Sequence, residues 1–491
     1  MKTIYKLYIL IIFFTISACT KENSTSTDAP PNVDGSVALK GITISTIDVT
    51  NIKTIIATAN CNVVVDPAQN NISNKGLVWS TAQNPTIALT TKTSEGTATG
   101  NYQSQITNLQ SNTKYFVRSY AVDASGNVAY GNEISFTTKV GFKSVVCGGR
   151  YSLAIKDDGT LWAWGNNQFG QLGNGTSINQ NSPVQIGTDQ DWKTIVTGGE
   201  NTNFGFSTFG IKNNGTLWAW GYNNIGQLGD GTNVSKFIPT QIGNDTWISI
   251  STSLQTCSFG VKSDGSVWAW GGVIINYSGY TSSVPIRVNG IANCKSVYNE
   301  PNYALFIKTD NTLWGYGNGP GLVPDSNNLF PMQQIGSANN WSNLYGNAGT
   351  CLATKTDGTA WGCGSNGFGV FGTGSNAGYS TFTQISSNLG ANSLNISFGA
   401  MTYYVKLDGT LWGTGYGVLG DGTPTGFRYI FTKVGSLSTW KYVSAAKQYL
   451  CNFAIQTNGS LWVCAPDNTD GQLGIGDNNP NTAKLSFTLV E

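Results

Sequence analysis

Along most of the chain, apolar and polar positions alternate in short runs broken by turns, and the same order of runs returns seven times. The first copy reads Lys143-Ser144-Val145-Val146, then Ser152-Leu153-Ala154-Ile155-Lys156, the turn Asp157-Asp158-Gly159-Thr160, and Leu161-Trp162-Ala163-Trp164-Gly165. Such alternation predicts strands. Asp-Gly or Asn-Gly between two runs predicts a hairpin, because glycine accepts the positive φ of a tight turn. Later copies turn at Asn214-Gly215, Asp264-Gly265, Asp310-Asn311, Asp357-Gly358, Asp408-Gly409 and Asn458-Gly459. Asn311 is the next best residue for that conformation. The anchoring tryptophans, Trp162, Trp218, Trp268, Trp314, Trp361, Trp412 and Trp462, recur about every 50 residues, a period that with strand content predicts a β-propeller, one copy per blade. That fold makes binding rather than chemistry the default function.

Residues 38–139 stand outside this period. Runs such as Ile42-Thr43-Ile44 and Lys114-Tyr115-Phe116-Val117-Arg118-Ser119-Tyr120, with turns at Asn84-Pro85 and Ser125-Gly126-Asn127, predict about seven short strands in a sandwich. Leu109-Gln110-Ser111-Asn112-Thr113-Lys114-Tyr115 resembles the L-x-P-x-T-x-Y corner of the fibronectin type III family, with Ser111 in place of proline. The resemblance implies that the Tyr115 hydroxyl bonds nearby backbone. It also implies that Trp79 sits in the core and that Gly131–Thr138 belongs to the closing hairpin. Domains of this kind often act as spacers, and no ligand motif is visible here.

After Gly165 the first copy continues Asn167-Gln168-Phe169-Gly170-Gln171-Leu172-Gly173-Asn174-Gly175, then Pro183-Val184-Gln185-Ile186, and Trp192 opens the next copy. This order resembles the regulator of chromosome condensation repeat, whose family forms seven-bladed propellers. The resemblance covers 140–491 and is most specific in copies one and two. Copy seven keeps Gly471-Gln472-Leu473-Gly474, copies five and six carry Gly369-Val370-Phe371-Gly372 and Gly417-Val418-Leu419-Gly420, and copies three and four lose the motif. Without the lysine and serine of a P-loop it is no phosphate cradle. Its glycines let loops pass closely and its leucine packs between blades. The repeated tryptophans are read as core between neighbouring sheets, since a sugar-stacking site rarely recurs on every blade. Copy one has no P-x-x-I run before it, and Lys484–Val490 has no copy after it. The simplest closure pairs this C-terminal strand with copy one. The expected fold is all-β: an immunoglobulin-like fibronectin type III sandwich, then a seven-bladed β-propeller over 140–491 closed by the C-terminal strand.

Lys2 and Lys6 precede an apolar run from Leu7 to Ala18 that is too short to span a bilayer comfortably. Ile16-Ser17-Ala18-Cys19 resembles the bacterial lipobox, which implies a signal peptide over 1–19 and a diacylated Cys19. Thr20-Lys21-Glu22 loosely resembles an export signal of surface lipoproteins. Residues 20–37, rich in Ser, Thr, Asp and Pro, read as a flexible tether. The expected location is a bacterial outer membrane or cell surface, held by lipid alone.

Charged residues are 11 % of the chain and net charge is +1, so nucleic-acid binding has no electrostatic support. The chain has no histidine, which removes the usual proton carrier and the commonest zinc ligand. No catalytic residue, metal or cofactor is expected, and the chain is read as a monomer. Cys351 with Cys363, and Cys451 with Cys464, flank hairpin turns and are candidate cross-strand disulfides; the alternative is buried free thiols. Segments 174–184, 230–239, 271–285, 317–331 and 373–384 differ between copies, and recognition usually sits on such loops. Phe237, Tyr277, Tyr280, Phe330 and Tyr379 are the candidate binding residues. The leading reading is a lipid-anchored binding or adhesion protein presenting a propeller face to a protein or glycan. The alternatives are a glycan-acting enzyme and a guanine-nucleotide exchange factor. The loosely similar Asp-box of sialidases is structural, and no paired carboxylates stand out.

Overall fold

The computed structural model describes residues 39–491 apart from 67, 69–70, 149, 199–205, 254–256, 276–277, 320, 323–330, 348, 388, 390–395, 399, 447–450 and 491. The signal segment 1–19, the tether 20–37 and Cys19 lie outside the described residues. Every element is a β-strand.

β1 (Ile42–Thr50), β2 (Ala57–Val65) and β4 (Gly100–Ile106) form one N-terminal sheet. β3 (Ile72–Ser80), β5 (Lys114–Asp123) and β6 (Val128–Tyr130) form the other, with β7 (Ile134–Thr137) also on β5. Alternate residues of both sheets meet in one core: Ala59 and Cys61 from β2, Trp79 from β3, Val117 from β5 and Phe136 from β7. The Tyr115 hydroxyl accepts a hydrogen bond from the Gln110 amide at 3.0 Å, so the corner exists with serine in the proline place.

Seven four-stranded units follow. The first is β8 (Phe142–Cys147), β9 (Tyr151–Lys156), β10 (Leu161–Gly165) and β11 (Gln180–Ile186). β12 (Trp192–Gly198), β13 (Ser207–Lys212) and β14 (Thr216–Gly221) begin the second. Its outer strand runs on as the inner strand of the third: β15 (Lys236–Thr252) pairs β14 through its first half and β16 (Cys257–Lys262) through its second. With β17 (Val267–Ile275) and β18 (Ser278–Arg287), two blades share one seven-stranded sheet. The fourth blade is β19 (Cys294–Glu300), β20 (Tyr303–Lys308), β21 (Leu313–Gly317) and β22 (Gln333–Gln334). The fifth is β23 (Trp341–Asn347), β24 (Thr350–Lys355), β25 (Ala360–Gly364) and β26 (Tyr379–Ser386). The sixth is β27 (Ile396–Phe398), β28 (Met401–Val405), β29 (Leu411–Gly417) and β30 (Gly426–Lys433), and the seventh β31 (Trp440–Ala445), β32 (Asn452–Gln456), β33 (Leu461–Ala465) and β34 (Lys484–Leu489).

The C-terminal strand corrects one expectation. β34 pairs β33 of its own blade, and the first blade takes its outer strand from its own Pro183-Val184-Gln185-Ile186 run. Every blade is sequential, so among the described residues no strand is left over for exchange. The seventh blade instead meets the first through side chains and through backbone bonds from the Phe142 amide to the Gly459 carbonyl at 2.8 Å and from the Gly476 amide to the Asn181 carbonyl at 2.9 Å. Phe142, Val145 and Trp164 share a core with Phe453, Leu461 and Leu473. The Gln472 carbonyl accepts from Trp164 Nε1 at 2.9 Å and from the Ser152 hydroxyl at 3.2 Å. Asp470 takes Arg150 at 3.1 Å and the Asn166 amide at 3.0 Å.

The repeat signature has a local explanation. In the first blade Asp158 Oδ1 accepts from the Thr160 amide at 3.0 Å and its hydroxyl at 2.7 Å, and Thr160 Oγ1 accepts from Trp162 Nε1 at 2.9 Å. Lys156 Nζ lies 3.8 Å from the centre of the Trp162 ring. The same turn-hydroxyl-indole chain recurs in every blade, down to Asn458, Ser460 and Trp462. The positive φ is also met, 81° at Gly159 and 63° at Asn311. In Asp264, Asp310, Asp357 and Asp408 the hydroxyl bond from the following Ser or Thr holds the carboxyl below its usual range. A folded-state pKa below the unfolded one means stability present above about 3.9 and lost as pH falls through the folded value. Changing these four aspartates to the asparagine that Asn214 and Asn458 already provide is expected to flatten the fall of melting temperature between about pH 5 and 2. Thermal unfolding across that range checks it; an unchanged slope would show that the clasps carry no acid sensitivity.

The tryptophans divide into two kinds. The anchors from Trp162 to Trp462 are half-buried, each sealed by the hydroxyl below it. The core between blades is centred on the buried Trp164, Trp220 and Trp270 and the blade-opening Trp192, Trp247, Trp341 and Trp440, and the anchors Trp218, Trp268, Trp314, Trp361, Trp412 and Trp462 pack against its edge. The Gly-Gln-Leu-Gly loop is where blades meet. A Cβ on Gly173 would lie 2.8 Å from Trp220 Nε1, and one on Gly474 2.8 Å from Trp164 Nε1. Leu172 packs with residues of both neighbouring blades, and the loop is pinned by the buried Asn167, whose Oδ1 accepts from the Leu172 amide at 3.0 Å.

The copies whose motif is eroded repack the same space. The place of Trp164, Trp220 and Trp270 is taken by Cys363, Thr414 and Cys464 in blades five, six and seven. The place of Pro183, Pro239 and Pro285 is taken in those blades by Phe382, Phe431 and Phe487. Gly372 faces Phe431, and Gly420 faces Phe487 with Cys464, where Gly173 faces Trp220. A ring from the outer strand thus replaces a ring from the third strand, which is how a tightly packed interface keeps its volume.

This accounts for the cysteines. All eight described cysteines are buried. Cys351 is directly across from Cys363, a pairing whose Cβ separation of about 4.5–5.5 Å exceeds the roughly 3.8 Å typical of a disulfide. Cys351 Sγ instead lies 3.2 Å from the Tyr303 hydroxyl, and Cys363 Sγ 3.6 Å from the Tyr379 carbonyl. Cys464 faces Asn452, so Cys451 is one residue out of register with it.

Candidate functional site

Strands one and two of each blade join on the same side as strands three and four: Gly165 pairs Tyr151, so the loop leaving one lies beside the hairpin entering the other. The described parts of the five variable segments lie between the third and fourth strands of a blade or run into those strands, so they begin on this side. The structure places the candidate residues unevenly. Tyr277 and Phe330 lie outside the described residues, and of Tyr280 only its place in β18 is described. Tyr379 stacks on Phe371 at 5.5 Å and serves its own blade. Phe237 is 39 % exposed and lies over Gly170 of the preceding blade, where the Phe237 carbonyl accepts from the Gly175 amide at 2.8 Å.

Around Phe237 the loops present an apolar rim: Ile178, Val234, Ile238 and Val284 are all about half-exposed or more. A second patch spans blades five and six. Phe368 stacks on Tyr416 at 5.9 Å, Tyr416 meets Phe427 at 4.5 Å, and Phe427 stacks on Tyr429 at 5.7 Å. Part of this run is scaffold. Phe169 and Tyr222 make the equivalent contact at 4.9 Å between blades one and two, and Tyr429 lies over Gly369 as Phe237 lies over Gly170. What blades five and six add is Phe427, 50 % exposed, beside Ile430, 65 % exposed. Phe427 stands two residues before the Phe237-equivalent position, where the second blade has Ser235. Its segment was not among the variable ones singled out from the sequence; a comparison of copies column by column finds it. The patch edge carries an Arg428–Asp421 pair at 3.5 Å. Among the described residues no group of three or more acidic or cysteine side chains is arranged to hold a metal, and no helix is long and apolar enough to cross a membrane.

Residues 142–171, 158–204 and 214–256 match models of the regulator of chromosome condensation (RCC1) repeat. The chain is 36 % identical over 100 residues to the ultraviolet-B receptor UVR8 of Arabidopsis thaliana, covering 20 % of this chain and 22 % of that protein. It is 35 % identical over 101 residues to the human E3 ubiquitin-protein ligase HERC2, covering 20 % of this chain and 2 % of that one. The matched part thus spans about a fifth or less of the relatives' length. Among solved structures it is similar to human WBSCR16, with 17 % identity, a TM-score of 0.57 and coverage of 68 % of this chain and 94 % of that one. It is also similar to Prp20p of Saccharomyces cerevisiae, with 16 % identity, a TM-score of 0.55 and coverage of 67 % and 85 %. The chain therefore carries RCC1 repeats on an all-β, propeller-like fold.

Proposed function

We propose that this chain is an exported, lipid-anchored binding protein that presents the loop side of a closed seven-bladed propeller to a protein partner. In this reading Cys19 is the lipidated residue at the bacterial surface, the fibronectin type III-like sandwich is a spacer, and the chain is not an enzyme. The observation that carries it is the exposed apolar patch of blades five and six, with Phe427 and Ile430 at the surface. Exposed aromatics flanked by polar residues mark interaction surfaces, and a few such anchors usually dominate affinity. The protein whose structure is similar here, Prp20p, was described with its binding to Gsp1p and histones, which supports a protein partner by analogy. Rings whose faces are stacked on each other leave little platform for sugar, so a glycan partner ranks second.

The test compares the full chain with a Phe427→Ser, Ile430→Ser variant for binding to surface proteins and to a glycan array. The variant is expected to lose at least about tenfold in affinity for a protein ligand while keeping its melting temperature. Equal binding by both would remove this patch, and binding to glycans alone would reverse the order of the two partner classes.

A further inference from the structure

The repeats supply their own comparison for one buried carboxylate. Six residues after the residue that opens a blade (142 to 148, 192 to 198, 247 to 253, 341 to 347, 440 to 446) stand Gly148, Gly198, Ser253, Asn347 and Ala446. In the fourth blade the same step, 294 to 300, reaches Glu300. The described copies otherwise use small or neutral residues at the end of the inner strand, and one carries an acid.

Glu300 is 3 % exposed. The Tyr298 hydroxyl donates to its Oε1, and Oε2 is buried with no partner. Burial, reinforced by the carboxylate, pushes the Tyr298 hydroxyl well up, so it stays a neutral donor; burial does the same for Tyr303, 6.4 Å away ring to ring. Glu300 lines a cleft of about 10 Å³ with Phe259, Pro301, Asn302, Tyr303 and Tyr316, room for one occupant of water size. Asn302, which lines the cleft from the hairpin tip, is exposed. A buried carboxylate oxygen without a partner is costly, and a cation relieves that cost where aromatic faces are also present.

We propose that this cleft binds a primary ammonium group, with Glu300 as the counter-ion and the rings of Phe259, Tyr303 and Tyr316 as its walls. The chemistry is shared by a free ammonium or alkylammonium ion and by a lysine side chain. The site stands apart from the Phe427 patch, and either can fail without the other.

The test follows thermal unfolding of the full chain in ammonium chloride, methylammonium chloride or N-acetyl-lysine amide, against sodium chloride at equal ionic strength. The wild type is expected to show a saturable rise in melting temperature over sodium. Glu300→Gln, and Glu300→Ser with the side chain of the third blade, are expected to weaken it at least about tenfold. Saturation by the small ions alone assigns the site to a free cation; equal or tighter binding of the lysine amide assigns it to a side chain. No saturable shift over sodium, or the same shift in Glu300→Ser, overturns the proposal. Crystals of the wild type soaked in rubidium chloride give a reading that needs no variant: an anomalous peak is expected beside the Glu300 carboxylate, and its absence there overturns the site.

Discussion

Replacing Trp164 by cysteine is expected to cost about 3–5 kcal/mol of stability, and adding Pro183→Phe is expected to return a large part of it. Trp164 is fully buried between the seventh and first blades, and its indole donates to the Gln472 carbonyl at 2.9 Å. Truncation leaves a cavity on the face of Gly474 and leaves the Gln472 carbonyl with the Ser152 hydroxyl but without the indole donor. Blades five and seven show what fills such a space: Cys363 with Phe382, and Cys464 with Phe487. Pro183→Phe alone would crowd Trp164 and cost about 1–3 kcal/mol. The prediction is therefore a favourable coupling of at least about 1 kcal/mol between two separately harmful changes. Denaturant unfolding of both single variants and the double variant measures it. Additive losses would show that the phenylalanine does not take the tryptophan's space.

Gly474→Ala is expected to cost about 2–4 kcal/mol. Its φ is +71°, which an L side chain adopts at a penalty, and the new Cβ would stand 2.8 Å from Trp164 Nε1. Gly435 isolates the two causes. Its φ is +65° with nothing within 4 Å of a Cβ, so Gly435→Ala carries the backbone penalty alone, about 1–2 kcal/mol. A larger loss at 474 measures how firmly the two end blades are pressed together. Equal melting temperatures for the two variants would mean that the contact yields freely and that the seam carries little of the fold's stability.

Much of this was legible in the sequence because the signals are local. Lys156, Asp158, Thr160 and Trp162 contact one another within a single hairpin, so any blade announces itself in seven residues. Tyr115 and Gln110 are likewise five residues apart. Less was legible where a side chain's partner lies outside its own hairpin turn. The C-terminal strand could be sent to either end of the repeat array by pattern alone; hydrogen bonding to β33 decides, because a hairpin partner already lies beside it. The cysteine pairs were matched to their turns, but Cys363 and Cys464 answer to rings contributed by Phe382 and Phe487. Phe237 and Tyr379 were chosen as loop aromatics, yet one covers a glycine of the neighbouring blade and the other its own blade's Phe371.

The amino-acid sequence by itself determined the strands, the hairpin turns and the number of repeats, since glycine, asparagine and alternating side chains act over a few bonds. Only the tertiary structure decided which strand ends the sheet, which ring fills each gap between blades, that Phe427 and Ile430 stand exposed, and that the Glu300 carboxylate is buried. Those outcomes depend on side chains from different strands and blades competing for one volume, and no local pattern records who wins.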